Sequence, residues 1–203
     1  MEETATKERI QVKAGEVLLY PGPTRPTDPL YRVERGFFRL QHMNKDGGAL
    51  TLRFVGPGGY LGEEVLTGRD RTYFAEAMTD AEVVPVPHQE LDEEGRRELL
   101  IGLAEAIEDG YQRIRRLAGQ RLKNRIAAAL LELAETPLAK PGPEGSTVVR
   151  LTHEDLAAAV GSMREAVTKA VGELSRDGYL ELGYGKIFIV DPEGLRELAR
   201  RRE

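Results

Sequence analysis

The chain has no cysteine among its 203 residues. That absence excludes a disulfide framework, a thiolate nucleophile, cysteine-ligated zinc and a cysteine-held iron–sulfur cluster. Histidine is scarce: His42, His88 and His153 are scattered, so no histidine-rich metal site is expected. No run approaches the roughly 18 consecutive apolar residues of a membrane span, and the opening MEETATKERIQV lacks an apolar stretch behind a basic cluster. The expectation is a cytoplasmic protein with no membrane partner. Asn and Gln number only two and five, while Arg, Glu, Leu and Ala abound, a balance common in proteins from hot or stressful habitats. Enzyme signatures are missing too. There is no Walker motif, G-x-S-x-G elbow or H-E-x-x-H, and Gly56, Gly58, Gly59 and Gly62 miss the dinucleotide spacing. His153, Glu154 and Asp155 are adjacent rather than helically spaced, which suits a helix start better than a catalytic group. We therefore expect no enzyme, no metal and no cofactor.

What is present suffices for a folded protein of one or two domains, with 40% apolar and 31% charged residues. The net charge of −5 argues against nucleic acid only until it is divided along the chain: residues 1–109 carry −8 and residues 110–203 carry +3. Much of the basic excess is Arg113, Arg115, Arg116, Arg121, Lys123 and Arg125, in a stretch with no acidic residue. Such a run suits a solvated helix face as well as it suits a nucleic-acid patch.

Between Val12 and Pro87 short β-like runs alternate with turn residues. The runs are Val17 to Tyr20, Leu30 to Val33, Phe37 to His42, Leu50 to Phe54 and Val83 to Val86. Turns fall at Ala14-Gly15, Pro21-Gly22-Pro23, Arg35-Gly36, Asp46-Gly47-Gly48 and Gly56 to Gly59, a spacing that predicts a sandwich or barrel. The period then changes. Leu100, Leu103, Ile107, Gly110, Ile114 and Leu117 follow the alternating three-and-four spacing of a coiled-coil seam, so one long helix over 94–118 is expected to pair with a second copy of the chain. A helix packed on its own domain is the alternative. After Gly119, residues 121–135 restart a helical pattern that Pro137 ends, and a β-like run follows at Val148 to Leu151.

Thr152, with Asp155 three residues on, begins a short helix that stops at Gly161. A second helix follows Ser162 and runs to about Arg176, with Val167 and Val171 facing inward. Ala157 allows a close helix crossing and Gly161 a tight turn. The second helix presents Arg164, Glu165, Thr168 and Lys169 outward, side chains suited to base edges and phosphates. Tyr179 to Leu182 and Ile187 to Val190 flank Gly183-Tyr184-Gly185-Lys186, a hairpin wing with one cation at its tip. Cap, small-residue spacing, polar outer face and trailing hairpin together predict a winged helix-turn-helix that binds double-stranded DNA.

The segment LTHEDLAAAVGSMREAVTKAVGELSRDGYLELGYGKIFIVD resembles the DNA-binding module of the catabolite activator protein (CRP/FNR) family. RLKNRIAAALLELAE resembles that family's first DNA-domain helix, while GEVLLYPG, YRVERGFFRL and GGYLGEE resemble its β-roll, so residues 12–191 are covered. The likeness is nearest to stress-response and stationary-phase members from heat- or radiation-resistant bacteria. It implies an α+β protein: a β-roll of the cyclic-nucleotide-binding jelly-roll type over 1–93, a dimerisation helix and hinge over 94–120, and the winged helix-turn-helix over 121–203. It further implies a homodimer on a TGTGA-like palindrome, RNA polymerase as partner and an activator's output. By the same likeness Arg164 grips guanine, Glu165 accepts from cytosine and Lys169 is the basic residue a turn on, with Thr152, Ser162, Met163, Thr168 and Lys186 completing the DNA-facing set. Met163 departs from the small polar residue often found at its place.

Gly62-Glu63 and Arg71-Thr72 resemble the family's phosphate-binding cassette, in which the glutamate bonds the ribose and the arginine and hydroxyl residue hold a cyclic phosphate. An Arg and a Glu there also suit a salt bridge bracing the roll. The segment between them is slightly shorter than in members that bind cyclic AMP. Where those members place paired hydroxyl residues on the dimer helix, this chain has Gly110-Tyr111, and Tyr111 would fill the space of the base. A regulator with no obligatory effector is the favoured reading; control by cyclic AMP or by another small ligand stays open. Iron–sulfur sensing needs the missing cysteines, and haem sensing has no recognisable motif. A ligand-sensing module that binds no DNA is the remote alternative, and the helix-turn-helix argues against it.

Overall fold

The structure, a computed structural model, describes residues 9–45 and 47–201. Residues 1–8 and 202–203 of the expected end domains, and Asp46 of the expected turn, lie outside the described residues.

The first part of the chain forms strands β1 Ile10–Val12, β2 Val17–Leu19, β3 Leu30–Arg35, β4 Phe38–Met43, β5 Ala49–Val55, β6 Tyr60–Leu61, β7 Phe74–Ala77 and β8 Ala81–Val86. They assemble into two four-stranded sheets, ordered β1-β8-β3-β6 and β2-β7-β4-β5. Side-chain alternation explains the pairing: in β4, Phe38 and Leu40 are buried while Arg39 and Gln41 are less so. Phe38 and Leu40 join Val33, Leu61, Ala75 and Val83 in the core of the roll. Full burial of an aliphatic or aromatic side chain such as Val33 or Phe38 is worth about 1.5–3 kcal/mol, so this cluster is a principal stabiliser of the roll. Strands β1, β6 and β7 were not expected, because three, two and four residues are too few to show an alternation.

Helix α1 Glu93–Gly119 is the long helix predicted from the seam. Leu99 packs with Leu30, Tyr60, Val65, Val84 and Val86, and Leu103 leans on the same cluster. Gln120 and Arg121 interrupt the helix, and α2 Leu122–Ala134 follows. Then come β9 Ala139–Pro141, β10 Thr147–Arg150, α3 His153–Val160, α4 Arg164–Arg176, β11 Leu180–Gly183, β12 Lys186–Ile189 and α5 Pro192–Arg200. The strands form one sheet in the order β11-β12-β10-β9. Helix α5 was not expected from the sequence. Asp191 accepts from Gly194 N at 2.9 Å, Pro192 opens the first turn, and fully buried Leu195 helps seat the helix on α2.

The fold divides into two compact units. Among the described residues, one comprises 9–42 together with Arg53–Glu108; the other comprises Met43–Leu52 and 109–201. The second unit thus contains the tip of the β4–β5 hairpin, the last turns of α1 and the helix-turn-helix.

Candidate nucleic-acid interface and effector pocket

The helix-turn-helix is built from its caps outward. Thr152 Oγ1 accepts from Asp155 N at 3.1 Å, and the Asp155 carboxylate accepts from Thr152 N at 3.1 Å, a reciprocal capping box that fixes where α3 begins. Gly161 ends α3 in the left-handed region at φ 61°. The positive φ calls for glycine, and a Cβ placed there would also lie 2.7 Å from Leu117 Cδ2 and move that side chain aside. Helix α4 turns Val167, Val171 and Leu174 fully inward, and α3 supplies fully buried Leu156 from the other side. This packing leaves Arg164, Glu165, Thr168 and Lys169 exposed along one edge of α4. Ser162 is half-buried in the turn, and Met163 at the start of α4 is 76% exposed, a large apolar group left in water. Thr168 Oγ1 lies 3.1 Å from His153 Nδ1, which ties the reading helix to the first turn of α3. The wing pairs Leu182 with Ile187 and Gly183 with Lys186, carrying exposed Lys186 and fully exposed Tyr184 at its tip.

The basic run 113–125 is largely engaged within its own unit. Arg116 pairs with Glu132, Lys123 Nζ lies 2.8 Å from Glu173, and Arg125 donates to the Gln120 carbonyl at 3.3 Å. The Lys123–Glu173 hydrogen bond raises the lysine's pKa and lowers the glutamate's. Arg113 is half-buried and donates to two backbone carbonyls.

Along α1, Leu100, Ile107, Tyr111 and Ile114 are more than half exposed. Of the other seam positions, Gly110 is half-buried, Leu103 packs into the chain's own core, and Leu117 at 37% exposure reaches Gly161.

Gly62, in the left-handed region, precedes a 3-10 turn over Glu63–Leu66. Glu63 Oε1 lies 2.6 Å from Arg53 Nη2, while the arginine of the cassette, Arg71, pairs through Nε with Glu64. The second Glu64 oxygen accepts from Tyr73 at 2.6 Å. Burial, the Glu63 charge and this hydrogen bond to Glu64 push the Tyr73 hydroxyl's pKa up. Both Arg71 and Glu64 side chains are only 11% exposed. The Thr72 side chain is exposed and its carbonyl meets His42 Nδ1 at 2.9 Å. Tyr111 is 59% exposed on the α1 segment that belongs to the second unit. Glu64, Tyr73 and Arg53 were not singled out in the sequence. The only available signal was a second carboxylate beside Glu63, and which of the two faces Arg71 is decided by the 3-10 turn.

A β-roll, a 27-residue helix and a winged helix-turn-helix whose polar edge stands in solvent define a DNA-binding transcription regulator with a ligand-type domain ahead of its reader. Residues 124–198 match the Crp-like helix-turn-helix domain and residues 9–97 the cyclic nucleotide-binding domain. The chain belongs to the CRP/FNR family of transcription regulators. It is 53% identical to transcriptional regulator SdrP of Thermus thermophilus over 98% of each chain. It is 36% identical to transcriptional regulator LdrP of the same species, over 84% of this chain and 87% of that one. A crystal structure of a CRP/FNR-family regulator from Thermus thermophilus superposes with a TM-score of 0.92 at 54% identity, covering 97% of this chain and 100% of the other.

Proposed function

We propose that this regulator binds a palindromic, TGTGA-like site as a homodimer joined along α1 and activates transcription through RNA polymerase without an obligatory small-molecule effector. The observation that carries the effector part is the Arg71–Glu64 pair. A cyclic phosphate would need the Arg71 guanidinium, and that guanidinium already has a nearly buried carboxylate whose other oxygen is held by Tyr73. An entering phosphate would have to displace one anion and leave it buried beside a second, Glu63, so the pocket fits a cyclic nucleotide poorly. The match of residues 9–97 to the cyclic nucleotide-binding domain favours the second reading, control by cyclic AMP.

The DNA part rests on the exposed edge of α4. Arg164 offers a bidentate fork to guanine O6 and N7, and Glu165 accepts from a cytosine amino group, while Lys169 and Lys186 suit phosphates. Titration of wild type and Arg164→Ala against a TGTGA palindrome and its single-base variants tests this. Arg164→Ala is expected to lose about 1–3 kcal/mol of discrimination at one base pair per half-site while keeping weak, salt-sensitive binding. Undiminished sequence preference would remove Arg164 from the reading code.

A further inference from the structure

The run of cations from 113 to 125 invites reading as a nucleic-acid surface, yet Arg113 is half-buried and bonded to backbone carbonyls of its own chain. Its Nη1 donates to the Thr51 carbonyl at 2.9 Å and to the Ala159 carbonyl at 2.8 Å. Thr51 is a buried residue of β5. Ala159 lies in the last turn of α3, where carbonyls lack donors within the helix and the helix dipole favours a cation. One turn further along α1, Leu117 rests on Gly161 and Leu50 lies beside them. A polar contact and an apolar one, a turn apart on α1, therefore engage the same two neighbours: the β4–β5 tip and the end of α3. All of these residues belong to the second compact unit.

We propose that Arg113 is a positioning residue for DNA binding: by bridging Thr51 and Ala159 it fixes the helix-turn-helix against α1 and the hairpin tip, so that protein contacts alone set the direction of α4. The proposal rests on reading α4 as the DNA reader and α1 as the dimer seam. The helix-turn-helix has fully buried Leu156, Val167, Val171 and Leu174 at its centre, so it keeps an apolar core of its own without Arg113. One reading head then still recognises one half-site. What is lost is the simultaneous fit of two heads to two half-sites, because the second contact depends on the effective concentration that rigid geometry provides.

The test titrates intact wild type, Arg113→Ala and Arg113→Lys against a full palindrome, a duplex with a single half-site, and palindromes whose spacer is changed by one base pair in either direction. Arg113→Ala is expected to weaken full-palindrome binding about tenfold or more, to stay within about twofold on the half-site, and to blunt the preference for one spacer. Arg113→Lys, which keeps a charged donor without the fork, is expected to fall between, and it carries the comparison if Arg113→Ala does not fold. Equal losses on both duplexes would make Arg113 a structural residue of the DNA domain and overturn the proposal. Wild-type spacer preference in Arg113→Ala would overturn it too. A wild type that binds palindrome and half-site alike removes the dimeric reading itself, and the proposal with it.

Discussion

At the residue scale, the chain's chemistry turns on which carboxylate faces which guanidinium. Glu63 is taken by Arg53 and Glu64 by Arg71, so the ligand-type pocket carries its own counter-ion. Replacing Glu64 with Ala should leave Arg71 nearly buried, short of its anion and receptive to a phosphate. Calorimetric titration with cyclic AMP is expected to show at least about tenfold tighter binding for Glu64→Ala than for wild type, because in the variant the phosphate adds a charge-assisted hydrogen bond without displacing a carboxylate. Equal affinity in the two proteins would show that Glu64 does not guard the site. Little of this was legible beforehand. Arg71 and an acidic partner could be picked out by pattern, but the choice between adjacent Glu63 and Glu64 depends on side-chain direction in a 3-10 turn. The inward bond of Arg113 runs to a carbonyl 62 positions away in sequence, which no local pattern encodes. The outward residues of α4 were legible because helical period and the buried positions Val167 and Val171 leave them nowhere else to go.

At the element scale, sequence reading works where a period is long or a cap is strong. Helix α1 follows from its spacing, and α3 from the Thr152–Asp155 box and Gly161. The two-residue β6 offers no period, and α5 hides behind an Asp-Pro start with a single fully buried leucine. The seam also divides on folding, since Leu103 packs inward and Leu117 meets Gly161, while Ile107 and Ile114 stay 56% and 62% exposed. Those two isoleucines are therefore the places to test association without harming the chain's own core. Ile107→Glu with Ile114→Glu would set unpaired carboxylates against each other in a dimer, a burial that costs far more than the lost apolar contact. Light scattering is expected to report a monomer with an unchanged circular dichroism spectrum, and full-palindrome affinity should fall much further than half-site affinity. A persistent dimer would place the interface elsewhere.

At the scale of the whole molecule, the account is that this CRP/FNR-family chain keeps the ligand-type domain but sets its DNA-binding arrangement through its own contacts. A ligand shifts such an equilibrium only as far as its affinities for the competent and incompetent arrangements differ. With Arg71 already paired with Glu64, the differential contact open to a cyclic phosphate would be small on the proposed reading. The dimer's two α4 helices would then match half-sites one DNA turn apart, about 34 Å, with nothing added. The most direct measurement is a promoter titration with purified protein shown free of nucleotide, with and without saturating cyclic AMP. The account predicts the same dissociation constant in both. A tenfold tightening, about 1.4 kcal/mol of coupling, would contradict it and make this a cyclic-nucleotide-controlled regulator.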